Sequence, residues 1–386
     1  MSSILTSISG IFGGCCGSVI TLEYLVQRED GDAASNVTAL ITFCQFLLVS
    51  LIGLRDVVNF EGKLPRLRRL QTPVKIYVLS VILYYTSSIT NNSALKYNVS
   101  MPIHIVFRCF STVITVCVCR VLTGRRYSSL QVFSTTLLTS GAVLASLFKE
   151  DNFHWNGLQN MVGNFSHQIV YGDSSFMKGV CLLILSSFLS SFLSVLTEWT
   201  YTTYGKHWRE NVFYLHFLSL PLFLFNHNQI WTEGTLLFND TKTHTLCYGH
   251  ICYSVPRKAM YLLGNVLSQY ICINGVSKLA SQTGALTLSV VLLVRRFISL
   301  LLSVYLFNNT LSETGYFGVF LVFLGALIYL LGSQDATRSK KKGWGRIPSR
   351  KHTKLYTSRC IHRYTVITAL VFEVIIAQRT NRKNTA

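Results

Sequence analysis

Ten apolar runs, at residues 4–22, 37–54, 74–90, 99–121, 128–148, 179–197, 212–225, 259–276, 284–307 and 315–332, are separated by short polar stretches. Nine have the length that crosses a hydrocarbon layer, roughly 17 to 25 residues. The seventh is short, and Pro221 interrupts it. Backbone amides find no water in hydrocarbon, so each run is expected to be a helix. The pattern therefore predicts an all-α polytopic membrane protein with ten transmembrane helices. Composition agrees, because half of the 386 residues are hydrophobic and only 13% are charged, which is far from a soluble domain. The first run lacks a basic leader and is expected to serve as its own insertion signal.

Lysine and arginine set the orientation. With both termini in the cytosol, the cytosolic loops and helix edges hold twelve: Arg55, Lys63, Arg66, Arg68, Arg69, Lys75, Arg120, Arg125, Arg126, Lys206, Arg209 and Lys278. Thirteen more follow Ser333, against seven on the opposite side. This is the asymmetry of the positive-inside rule. The formal charge of +19 is thus mostly a collar and tail facing an anionic leaflet, and it does not imply nucleic-acid binding. The N-x-S/T sequons at Asn36, Asn91, Asn98, Asn164, Asn239 and Asn308 all fall on or beside loops of the other side. Only Asn164 and Asn239 stand far enough from a helix to be expected as glycosylated positions.

A second regularity is internal. Setting Asn92 against Asn274 brings Lys96 opposite Lys278 and, after a short gap, Arg108 opposite Arg296. Further on, Ser128 matches Ser312, and Ser140-Gly141-Ala142 matches Leu324-Gly325-Ala326. Halves of five helices each must lie in opposite orientations, so Lys96 is expected at a luminal helix end and Lys278 at a cytosolic one. The chain then divides into a first five-helix repeat (1–148), a luminal connection (149–177), a second repeat (178–332) and a basic cytosolic tail (333–386). Inverted repeats of this kind place a solute site near the bilayer midplane, where they meet.

Arginine at the centre of a spanning helix costs roughly 2.5 to 3.5 kcal/mol on insertion scales. Arg108, Arg295 and Arg296 therefore need a carboxylate, a watery cavity, neighbouring carbonyls or an anionic ligand. Glu23 and Glu198 are the acidic candidates near the spans. Guanidinium groups bond phosphate bidentately, so arginines on opposing repeats suit a diphosphate. Arg295 and Arg296 point about 100° apart on a helix, and Arg296 is favoured because it aligns with Arg108 and stands seven residues from Ser289. His104 precedes Arg108 by one turn, and Tyr270, Asn274 and Lys278 form an i, i+4, i+8 stripe. Tyr84, Tyr85, Asn91 and Asn92 occupy the matching earlier helix. Such aromatic and amide groups suit stacking on a base and bonding its edge, while the bland reading of each is an interhelical bond.

Signatures of catalysis are absent: the chain has no phosphate loop, no H-E-x-x-H, no paired C-x-x-C and no G-x-S-x-G. No metal or cofactor is expected. Eight cysteines, Cys15 and Cys272 among them, fall in apolar runs, where they are expected to pack as small residues. Cys247 and Cys252 share a luminal loop where a disulfide is open to them.

Asn91-Asn92-Ser-Ala-Leu-Lys96 followed by Met101-Pro102-Ile-His104-Ile-Val-Phe-Arg108 resembles the motif of the UAA family of nucleotide-sugar transporters, within the drug/metabolite transporter superfamily. Gly14-Cys15-Cys16, Leu22-Glu23, Phe43-Cys44-Gln45-Phe46 and Leu286-Thr287 through Arg295-Arg296-Phe297 extend the likeness, which is nearest to the UDP-xylose and UDP-N-acetylglucosamine branch. The resemblance implies a secondary transporter and not an enzyme. It would exchange a cytosolic UDP-sugar for luminal UMP across a Golgi or endoplasmic reticulum membrane. It also implies that Arg108 and Arg296 serve the phosphates, with Glu23, Gln45, Asn91 and Asn92 nearby; the family more often reads Arg-Lys where this chain has Arg295-Arg296. The expected partners are the UDP-sugar, UMP and the lipid bilayer, with a homodimer compatible. The rivals are a free-nucleotide exchanger of ADP/ATP type, a membrane receptor or scaffold, and a membrane-embedded glycosyltransferase. Residues 364–377 are expected to lie as an amphipathic segment on the cytosolic leaflet.

Overall fold

The structure, a computed structural model, describes residues 2–26, 38–59, 66–94, 97, 101–124, 127–148, 163, 174–238, 243–248, 251–307 and 312–343. Helices dominate the described residues: α1 (Ser2–Val26), α2 (Thr38–Val57), α3 (Val74–Ala94), α4 (Met101–Thr123), α5 (Ser129–Leu147), α6 (Ser174–Tyr204), α7 (Trp208–Ser219), α8 (His227–Phe238), α9 (Arg257–Ala280), α10 (Ala285–Phe307) and α11 (Glu313–Gly343). Two antiparallel hairpins complete the described structure. Strands β1 (Val58–Asn59) and β2 (Arg66–Leu67) pair in one, and β3 (Thr243–Tyr248) and β4 (Ile251–Pro256) in the other. Five helices are long and apolar enough to cross a membrane by length and composition: Ile4–Leu22, Ala39–Val57, Ser129–Leu147, Phe176–Tyr204 and Glu313–Gly332. The protein is an all-α membrane protein, and helices occur at all ten apolar runs.

Two helices differ from expectation. The short seventh run lies within a longer helical stretch: α7 passes through a 3₁₀ segment, Leu220–Asn226, directly into α8, so helical backbone continues from Trp208 to Phe238. Proline has no N–H, and its ring clashes with the carbonyl four residues back. The backbone therefore tightens at Pro221 and then resumes its α-helical course. The last helix also runs beyond residue 332, through Lys340-Lys341-Lys342 to Gly343. No proline or glycine breaks 333–342, and cations are favoured at a helix C-terminus. Residues 364–377 lie outside the described residues.

The chain forms two compact units: residues 1–82, 148–152 and 193–316 in one, and 83–147, 153–192 and 317–386 in the other. Each draws helices from both halves of the sequence. In the first unit α1 packs along α9 through small residues. A Cβ on Gly14 would stand 2.5 Å from the Cys272 nitrogen and 2.7 Å from the Ser268 carbonyl, and one on Gly275 would stand 2.9 Å from the Ile11 nitrogen. Such glycines let backbones touch where lipid gives no hydrophobic drive for helix association. Cys15 and Cys272 are packed in this seam, as expected, but their sulfurs meet directly, with Cα atoms 5.1 Å apart, a spacing compatible with a disulfide. Ile11 and Leu279 bury beside them. A second cluster joins Leu25, Leu40, Ile41, Leu237, Leu262 and Val266.

In the second unit the crossing of α5 and α11 has the same character. A Cβ on Gly141 would lie 2.7 Å from the Gly318 carbonyl, and one on Gly325 would lie 2.9 Å from the Leu138 nitrogen. Ser128 opens α5 with a reciprocal capping box: its Oγ accepts from the Gln131 amide at 3.2 Å, and Gln131 Oε1 accepts from the Ser128 amide at 3.1 Å. In the first unit Ser312 performs the matching task for α11, accepting from the Gly315 amide at 3.2 Å. The two serines aligned in sequence are thus both N-caps. Ala94, Phe176, Val180 and Leu183 form the second unit's buried cluster, with Phe107 against it.

Candidate functional site

The expected site residues divide between the two units. In the first, Tyr270, Asn274 and Lys278 lie along α9, and all three are half-buried. Asn274 Nδ2 donates to the Tyr270 carbonyl at 3.0 Å, which holds the amide along the helix stripe. On α10, Ser289 Oγ donates to the Ala285 carbonyl at 2.9 Å. Arg296 is exposed, whereas Arg295 is half-buried with its Nε buried. Arg296 is the twelfth residue of α10, about 16 Å along the axis at 1.5 Å per residue, and so near the middle. Cys16 of α1 approaches Ser299 of α10 at 3.5 Å.

In the second unit, Tyr84 is exposed and Tyr85 and Asn91 are half-buried on α3. Arg108 is the eighth residue of α4, about 10 Å along it, with His104 one turn earlier. For Asn92, His104 and Arg108, as for Glu23 on α1, only the backbone position is described; Lys96, Asn164 and Asn239 lie outside the described residues. Serines and threonines tie this unit together. Ser87 Oγ donates to the Ser186 carbonyl at 3.0 Å, and Thr115 Oγ1 donates to Ser191 Oγ at 3.0 Å.

Gln45 has a structural partner that sequence reasoning missed. Its Nε2 donates to Asn265 Oδ1 at 2.7 Å, and Asn265 Nδ2 donates to the Ser18 carbonyl at 2.7 Å, with Thr21 Oγ1 3.2 Å away. The amide pair therefore links α1, α2 and α9 within the first unit. A second Asn in the apolar run 259–276, in addition to Asn274, was the available signal, but nothing in the repeat marked it.

Three glutamates close helix starts. Glu198 Oε2 accepts from the Ala285 amide at 2.8 Å at the start of α10. Glu233, buried, accepts from the Leu40 amide at 2.7 Å and from Gln229 Nε2 at 2.8 Å. Glu210 accepts from the Gln71 amide at 3.1 Å, the Thr72 amide at 3.3 Å and the Tyr77 hydroxyl at 2.9 Å, ahead of α3. Carboxylates at these positions satisfy amides that have no intrahelical acceptor and complement the helix dipole. A cavity of the first unit, about 530 Å³, is walled chiefly by apolar groups of α2 and the α7–α8 rod, such as Phe43, Phe223, Ile230 and Trp231. It lacks the cations that a phosphate needs.

Long apolar helices that carry arginine, lysine and amide groups suit a membrane transporter. Among the described residues no group of His, Cys, Asp or Glu could hold a metal ion. Comparison with known proteins gives the lineage: the chain belongs to the UAA transporter family, whose model matches residues 3–333. It is 51% identical over 88% of its length to a Saccharomyces cerevisiae protein named as a UDP-N-acetylglucosamine transporter, covering 98% of that protein. A Danio rerio protein named as a UDP-xylose and UDP-N-acetylglucosamine transporter is 32% identical over 84% of this chain and 93% of its own. A Drosophila melanogaster protein named as an endoplasmic reticulum GDP-fucose transporter is 31% identical over 83% of this chain and 88% of its own. One crystal structure shares the fold, with a TM-score of 0.57 at 15% identity over 86% of this chain and 98% of that one. The chain is a transporter and not an enzyme.

Proposed function

We propose that this protein carries UDP-N-acetylglucosamine from the cytosol into the lumen of the endoplasmic reticulum or Golgi and returns UMP. The observation that carries this reading is the 51% identity, along almost the whole of both chains, to a protein named for that nucleotide sugar. UDP-xylose is the second cargo, supported by the Danio rerio relative named for both. UDP-sugar and UMP share the uridine and a phosphate, so one site recognises both, and each conformational return is made with an anion bound. Ten spans in two inverted repeats form the carrier, with both termini cytosolic. The paired capping serines, Ser128 and Ser312, and the paired close-contact glycines, Gly141 and Gly325, support that duplication.

In this reading Arg108 and Arg296 hold the phosphates, the first from α4 and the second from the middle of α10. Tyr84, Tyr85, Asn91, Asn92 and His104, with Tyr270, Asn274, Lys278 and Ser289, recognise the base and sugar. Proteoliposomes containing the purified chain test it. Preloading with UMP should accelerate uptake of UDP-N-acetylglucosamine over that of empty vesicles, and equal rates would exclude exchange. Arg108→Ala and Arg296→Ala should each abolish uptake, while Arg295→Ala should reduce it less. The reverse order would move the phosphate contact to Arg295.

A further inference from the structure

A positive collar on a membrane protein needs no fold, since solvated lysines and arginines attract an anionic surface from any disordered loop. The described ends of the connection between α2 and α3 are folded nonetheless. Val58 pairs with Leu67 and Asn59 with Arg66, and the Arg68 amide donates to the Val57 carbonyl at 2.8 Å. Glu210 then fixes the next turn by accepting from the amides of Gln71 and Thr72. These bonds hold Arg68 and Arg69 on the wall of a polar cavity of about 350 Å³, which Lys206 of the α6–α7 connection and Arg209 of α7 complete.

The charges of this cavity do not cancel. Asp56 and Glu210 are its two carboxylates, against four cations in Arg68, Arg69, Lys206 and Arg209. Asp56 is already engaged by Arg209 at 3.1 Å, and Glu210 accepts bonds from two amides and the Tyr77 hydroxyl. Arg68, Arg69 and Lys206 are exposed and form no ion pair among the described residues. Trp208, under the Arg209 guanidinium at 5.3 Å, and the exposed Leu70 give the rim an amphipathic edge. Tryptophan at such a rim is the residue of a membrane–water boundary.

We infer that this cavity is a binding site for a phosphate group at the cytosolic membrane surface, held by Arg68, Arg69 and Lys206. Two sources offer that group: the headgroup of an anionic phospholipid and a soluble phosphate ester. Guanidinium pairs bind either bidentately. Its placement on the cytosolic face rests on the orientation proposed above, while its readout is equilibrium binding rather than uptake, so its failure leaves the transport reading untouched.

The full chain in nanodiscs of phosphatidylcholine, with or without phosphatidylinositol 4-phosphate, provides the test, with retained lipid counted by native mass spectrometry. In parallel, detergent-solubilised protein is titrated with glycerol phosphate, a soluble ester that lacks the uridine of the proposed cargo. The variant Arg68→Gln/Arg69→Gln/Lys206→Gln is compared with a charge-matched control outside the cavity, Arg55→Gln/Lys75→Gln/Arg120→Gln. Each cation near an anionic surface changes affinity about fivefold, so the cavity variant should bind phosphate roughly a hundredfold more weakly. Loss confined to the lipid arm identifies a headgroup as the source, and loss confined to the soluble arm identifies a free ester. No binding in either arm, or equal weakening by the control, overturns the site and leaves a diffuse collar.

Discussion

Truncating Asn265 is the sharpest test of what holds the first unit together. The side chain is 1% exposed and joins three helices. Asn265→Ala removes the acceptor of Gln45 Nε2 at 2.7 Å, the donor to the Ser18 carbonyl at 2.7 Å and the weaker contact to Thr21 at 3.2 Å. Interhelical hydrogen bonds in membrane proteins average about 0.6 kcal/mol and reach about 1.7. A fully buried donor left without an acceptor costs about 1 to 3 kcal/mol, and the half-buried Gln45 Nε2 stands below the top of that range. Because the Ser18 carbonyl sits within α1 and Thr21 also bonds Gly17, most of the loss falls on Gln45, and the expected destabilisation is about 2 kcal/mol. Equilibrium unfolding of the detergent-solubilised chain by dodecyl sulfate would measure it. A cycle with Gln45→Ala isolates the shared bond: the double variant should be more stable than the sum of the single losses predicts, by about 0.6 to 1.7 kcal/mol. Additive losses, to within about 0.3 to 0.5 kcal/mol, would refute the coupling. Transport separates structure from binding: a structural Gln45 lowers the amount of folded carrier, whereas a cargo-contacting Gln45 raises KM in protein that is fully folded.

Two further outcomes follow from backbone geometry. Gly13 and Gly14 are neighbours on α1, yet a Cβ on Gly13 meets nothing within 4 Å while one on Gly14 runs into the α9 backbone. Gly13→Ala should therefore be neutral or stabilising by up to about 1 kcal/mol, and Gly14→Ala should cost about 1 to 3 kcal/mol, read as opposite shifts in melting temperature. Cys247 and Cys252 stand directly opposite in the β3–β4 ladder, so non-reducing peptide mapping of protein from an oxidising lumen should recover them linked; finding both alkylated as free thiols would place that hairpin in a reducing compartment.

Hydropathy made most of the fold legible. The apolar runs coincide with helices because hydrocarbon leaves the backbone no alternative. Ser128 and Ser312 could be paired from sequence because capping needs a hydroxyl at a fixed offset from the helix start. The continuation of α7 into α8 was not legible, since Pro221 reads as a stop, and a 3₁₀ turn is a resolution that only packing selects. Glu210 and Glu233 were also hidden. Their targets lie 139 and 193 residues away, at the amides of Gln71 and Leu40, and no local pattern encodes such a partner. The resemblance motif supplied the candidate phosphate residues Arg108 and Arg296.

The same packing decides whether the two sequence halves can fold alone. The glycine seam of the first unit joins α1 to α9, and that of the second joins α5 to α11. Each seam takes one helix from before the 149–177 connection and one from after it. A fragment of residues 1–160 would expose Gly14, Gly141 and the close-packed faces around them with no helix to receive them, since lipid chains cannot follow a groove shaped for a backbone. Either fragment expressed alone should therefore be degraded or aggregate, while coexpression of 1–160 with 161–386 should give a copurifying pair that restores uptake. Adding Gly14→Leu and Gly318→Leu to the fragments should abolish copurification, because both residues touch backbone of a helix on the other fragment. A first half that is stable and monodisperse alone would show instead that the repeats are folding units, with the glycine seams formed only afterwards.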